Sequence, residues 1–96
     1  MITIEDIKKY SKIHGPLGGK RTVIEYNDCI ISIVGGRERL YGDFNDNFEL
    51  AVRDKKTNEF ITSKYYGSDD VVPYMSAPIL VDLLNDIIRE DSFRFL

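Results

Sequence analysis

The stretch Ser76-Ala77-Pro78-Ile79-Leu80-Val81-Asp82-Leu83-Leu84-Asn85-Asp86-Ile87-Ile88 decides the fold. Its apolar residues Ile79, Leu80, Leu83, Leu84, Ile87 and Ile88 recur in the i, i+1, i+4, i+5 pattern of a helix laid on a sheet, which predicts that Asp82, Asn85, Asp86, Arg89 and Glu90 face water. Ser76 is placed to cap this helix, and Pro78 falls in the first turn, where its missing N–H costs nothing. So apolar a stripe must be covered, and the chain N-terminal to it supplies the cover.

The cleanest alternation in the chain lies at Phe48-Glu49-Leu50-Ala51-Val52-Arg53, with Phe48, Leu50 and Val52 on one face and Glu49, Ala51 and Arg53 on the other. A polar turn at 54–58 separates it from a fourth predicted strand, Glu59–Tyr66, which carries Phe60, Ile61, Tyr65 and Tyr66. Upstream, Thr22–Tyr26 and Cys29–Val34 are rich in β-branched and aromatic residues. Asn27-Asp28 between them is suited to the positive φ of a two-residue hairpin turn. Thr3 with Asp6 three residues on forms a capping signature, and the apolar stripe that follows predicts a first helix over 4–14, stopped by Gly15-Pro16. The order read is therefore α-β-β-β-β-α. It describes a single α+β domain over 1–96, with a four-stranded antiparallel sheet of two hairpins flanked by N- and C-terminal helices.

Composition excludes several classes. The chain has 96 residues, 43% hydrophobic and 30% charged, the mixture of an ordinary globular domain. No apolar run approaches the roughly 20 residues that span a bilayer. The net charge is −3, residues 1–40 carrying +2 and residues 41–96 carrying −5, so the broad basic footprint of a nucleic-acid-binding protein is missing. Cys29 has no bridging partner in the chain, and both it and the single histidine, His14, are expected to serve packing. Met1–Asp6 has neither a basic n-region nor an apolar h-region, which makes the cytoplasm the expected location.

Three segments invite chemistry and fail on spacing. Gly15–Lys20 has three residues, not four, between its first Gly and the Gly-Lys pair, and Arg21 stands where a phosphate loop needs Ser or Thr. Asp43–Asp54 has the alternating oxygens of a calcium loop, but Phe48 occupies the glycine position and Asp54 replaces the bidentate Glu. Lone Cys29 and His14 lack a recognisable third group. No catalytic residue, metal set or cofactor is expected, and the chain reads as non-enzymatic.

Aromatic side chains in loops point instead to binding, because tyrosines are favoured at protein interfaces. The candidate partner-binding residues are Tyr41, Asp43, Phe44, Tyr65, Tyr66, Asp69 and Asp70, acting on an unidentified protein partner or on a second copy. Two alternatives accompany this reading. In one, Asp43, Asp46, Asp69 and Asp70 compete with nucleic acid for a host protein. In the other, Lys20, Arg21, Arg37 and Arg39 form a weak nucleic-acid-binding patch, although the acidic net charge disfavours it.

With its Tyr41-Gly42-Asp43-Phe44 segment, its Phe48–Asp54 strand and a Gly67-Ser68-Asp69-Asp70 turn before the last helix, the chain resembles small phage and prophage proteins of Gram-positive bacteria. The resemblance implies a cytoplasmic accessory protein that modulates a host enzyme or defence complex. It transfers no functional residue.

Overall fold

Alternating burial along three central strands sorts the chain into a covered and an open side. A computed structural model describes residues 1–16, 18–37 and 40–96. The strands are β1 (Lys12–Ile13), β2 (Lys20–Tyr26), β3 (Cys29–Gly35), β4 (Asn47–Asp54), β5 (Val72–Ser76) and β6 (Arg94–Phe95), with helices α1 (Ile4–Lys9) and α2 (Ala77–Ile87). The sheet runs β1-β2-β3-β4-β5, and β6 also pairs with β2; every pairing is antiparallel. The α+β class and antiparallel sheet agree with the sequence reading. The count of four strands and the two terminal helices do not, since β6 follows α2 and the sheet has six strands.

The β2–β3 hairpin closes through Tyr26↔Cys29, with Asn27 at φ +52 as the turn chemistry requires. Ile24, Ile31, Ile33, Phe48, Leu50 and Val52 point to one side and are fully buried. Leu80, Leu83 and Leu84 of α2 cover them, and Ile2 and Ile7 from the N-terminal segment join the same core. Both helical segments thus lie on one face. Burying an aliphatic side chain contributes roughly 1.5–3 kcal/mol, so this cluster is the main source of stability.

Four details depart from the sequence reading. The first helix ends at Lys9 and not near residue 14, because the Ser11 hydroxyl donates to the Lys8 carbonyl and the chain turns extended to pair Lys12 with Arg21. Its predicted start is correct: Thr3 and Asp6 form the reciprocal capping box. The second departure is Glu59–Tyr66, which is not a strand. Phe60 makes a single bridge to Arg53, then Thr62 begins a 3-10 turn. The Thr62 hydroxyl accepts from the Val52 N–H and faces the Asp70 carbonyl, so a side chain takes the place of ladder pairing.

Third, the strand position beside β4 is filled by Val72–Ser76, where Pro73 is tolerated at an edge. Tyr74 at φ +51 sits in the register shift opposite Glu49, an irregularity no periodicity announces. Fourth, Ser76 occupies the cap position of α2 without a side-chain capping bond, and Asn85 faces inward. Its amide accepts from Ile2 N at 2.8 Å and donates to Ile2 O at 2.9 Å, strapping the N-terminal segment over the core.

Two glycines allow the loop before β4 to lie against the sheet. A Cβ on Gly35 would stand 2.8 Å from Phe44 N, and one on Gly42 2.8 Å from Phe48 Cα, so only a bare backbone fits at either place. Among the described residues no helix is long and apolar enough to cross a membrane.

Candidate functional site

With both helices on one side, the other face of the sheet carries the residues of opposite parity. Three cross-strand rows form its floor: Arg21–Val34–Glu49, Val23–Ser32–Ala51 and Glu25–Ile30–Arg53. The pleat places each row's side chains together about 5 Å apart. Two hollows of about 330 and 450 Å³ lie on this face, and His14 and Arg21 line both. One extends past Ala51 and Arg53 to Phe60 and Val71; the other reaches Ile13, Val23, Ile30 and Leu96. At the rim Ile13 is 82% exposed, and Leu96 and Phe60 are each 41% exposed.

The charges are held unequally. Arg37 bonds the carbonyls of His14 (3.1 Å) and Gly18 (3.4 Å), tying the loop after β1 to the end of β3. Glu49 accepts from the Tyr41 backbone N–H at 3.2 Å. Arg53 covers the Phe60 ring at 5.0 Å, a cation–π contact. Glu25 is committed to Lys55 and Arg94, each at 2.8 Å, and these two cations hold its carboxyl below the ordinary glutamate value. Burial, then Arg37 and Arg21, lower the pKa of His14, so its imidazole is neutral at pH 7. Arg21 stands apart: its Nε is buried without a hydrogen-bond partner, and among the described residues it forms no ion pair.

The residues expected to bind a partner divide into two groups. Tyr41 is 51% exposed and meets Tyr74 edge-on at 5.9 Å, beside the start of β4. Asp43 is exposed, but one carboxylate oxygen accepts from the backbone N–H groups of Asn45, Asp46 and Asn47, which lower its pKa. Phe44 is 5% exposed, packs edge-on against Phe48 at 5.1 Å and belongs to the core, so it is withdrawn from the surface. Tyr65 and Tyr66 lie at the opposite end of β4, where the Tyr65 hydroxyl is 3.5 Å from Cys29 Sγ and Cys29 pairs with Asp54. That contact and burial push the Tyr65 pKa up to about 12. Asp69 and Asp70 are exposed in the turn that follows. Seven residue steps of β4 put about 23 Å between the two ends.

The basic candidates divide by pleat parity. Lys20 faces a hollow with Lys8, Asp43 and Phe44, whereas Arg21 and Arg37 serve the open face. Arg39 lies outside the described residues. The outward set itself was readable, because the alternation that buries Phe48, Leu50 and Val52 turns Glu49, Ala51 and Arg53 outward. What sequence reading missed is that, among the described residues, neither helix lies on that side. Compared with known proteins, the chain matches no family model, no curated protein and no solved structure at a significant level.

Proposed function

We propose that this chain is a non-enzymatic binding module that engages a protein partner through the open face of its sheet. The single observation carrying this reading is that both helical segments cover one face, while the other combines exposed aliphatic side chains with an arginine whose Nε has no hydrogen-bond partner among the described residues. Arginine and large apolar residues are enriched at protein interfaces, and a contiguous apolar surface with a polar rim is the usual form of one. Tyr41 and Tyr74 stand at the margin of this surface and extend it. A cytoplasmic accessory role is proposed with it, on the sequence resemblance alone.

A photo-crosslinking amino acid placed at Val23 or Ala51 on the open face, or at Asp82 on the exposed side of α2, tests the reading in native lysate. Protein adducts should form from positions 23 and 51 and not from 82. Equal adduct yields from all three positions, or adducts from 82 alone, would overturn it.

A further inference from the structure

The open face has a chemical bias that narrows its partner. A buried guanidinium nitrogen without an acceptor is destabilising, since that N–H has lost water and gained no partner. Arg21 Nε is such an atom. Among the described residues no neighbour supplies the missing acceptor: Lys12, its cross-strand partner, is cationic; Arg37 is turned to backbone carbonyls; and one oxygen of Glu49 is taken by the Tyr41 N–H. Arg21 lines both hollows of this face, so an anion entering either one meets its guanidinium.

The floor around Arg21 selects between kinds of anion. Val23, Ile30, Val34 and Ala51 are aliphatic, and Ser32 lies between them. No aromatic ring stands on the floor, and Phe60 at the rim is already covered by Arg53. A sheet that binds single-stranded nucleic acid stacks bases on rings, which this one does not offer. Methyl groups beside a fork-shaped cation suit aliphatic side chains on either side of a carboxylate.

We infer that the open sheet face binds an acidic, aliphatic segment of a partner protein, with an Asp or Glu carboxylate of that segment accepting from Arg21. This rests on the reading of the face as a protein-binding surface and adds the chemistry of the partner.

Two blocked peptides, Ac-Val-Glu-Val-NH2 and Ac-Val-Gln-Val-NH2, titrated into the isotope-labelled full chain, test the inference by NMR, with inorganic phosphate and a ten-residue oligothymidylate as further probes. The Glu peptide should shift the Arg21 Nε–Hε resonance and the amides of Val23, Ser32 and Val34. It should bind about tenfold more tightly than the Gln peptide, the ratio expected for a charge-assisted over a neutral hydrogen bond. Arg21→Gln should reduce the Glu peptide to the affinity of the Gln peptide. The comparison of peptides on the unaltered chain needs no variant. Equal binding of both peptides at this face would overturn the carboxylate inference and leave the protein-binding reading standing. No shift on this face from either peptide would overturn both. A larger Arg21 response to phosphate or oligothymidylate than to the Glu peptide would overturn the inference in favour of a phosphate-bearing partner.

Discussion

Replacing Asn85 by Ala tests whether the N-terminal segment is strapped to the core by one side chain. The Asn85 amide makes two bonds to Ile2, at 2.8 and 2.9 Å, across 83 residues of chain, and a third to Val81 O at 3.0 Å within its own helix. Each lost long-range bond removes about 0.5–1.5 kcal/mol, and alanine returns up to ~0.7 kcal/mol through its better helix propensity. With Ile2 still seated, the loss is therefore about 0.3–3 kcal/mol. Ile2 is 1% exposed, so its release would add roughly 1.5–3 kcal/mol of lost burial. Urea unfolding followed by circular dichroism measures the difference, and a loss of 1 kcal/mol lowers Tm by about 4–8 °C at this chain length. Ile2→Ala completes a double-mutant cycle. If Asn85 acts by holding Ile2, the combined loss should fall short of the sum by at least ~0.5 kcal/mol. Losses that add within about 0.3 kcal/mol, or an Asn85→Ala variant as stable as the parent, would refute the strap.

Phe44→Ala should cost about 3–5 kcal/mol because its ring is part of the core, whereas Tyr41→Ala, three residues away, should cost no more than ~1.5 kcal/mol for its edge-on pair with Tyr74; chemical denaturation of the two variants distinguishes a packed ring from an exposed one. Gly42→Ala should destabilise by roughly 1–3 kcal/mol, since the new Cβ would meet Phe48 backbone at 2.8 Å, and parental stability in a melting experiment would contradict that close approach. The folded state lowers the pKa of His14, so below about pH 6.5 the unfolded chain binds the extra proton more readily. Stability should therefore decline as the pH falls from 7.5 to 5.5, and His14→Gln should flatten that dependence. Asp43, Asp54 and Glu25 have lowered carboxyl pKa values, so their contributions are lost only at more acidic pH, outside this window.

The parts of the fold that follow from local chemistry were legible. The capping box at Thr3, the Asn27-Asp28 hairpin and the inward Phe48, Leu50 and Val52 each depend on a pattern within a few residues. Elements that depend on a distant partner were not. Val72–Ser76 becomes a strand only because β4 offers it an edge, and its Pro73 and strained Tyr74 read locally as a turn. Conversely, Glu59–Tyr66 has a strand's composition but loses its ladder to the Thr62 hydroxyl. Lys12–Ile13 and Arg94–Phe95 are two-residue strands that exist only on the flank of β2. The C-terminal one is fastened by Tyr10 stacked on Phe95 at 4.3 Å.

The candidate site was half legible for the same reason. Exposed tyrosines and loop acids can be picked from sequence, but Phe44 and Tyr41 look alike until the packing of Gly35 and Gly42 draws one ring inward. Arg21, read as part of a basic rim, gains its meaning from a buried and unpaired nitrogen, which no pattern of residues reveals.

The most direct measurement is the relaxation that a soluble paramagnetic probe imposes on methyl resonances of the purified chain. Ile13, Val23, Ile30 and Leu96 should relax strongly, and Ile24, Ile31, Ile33, Leu50 and Val52 should remain protected beneath the helices. Protection of Val23 and Ile30 in the lone protein, or strong relaxation of Ile31 and Leu50, would contradict a sheet with one covered and one working face.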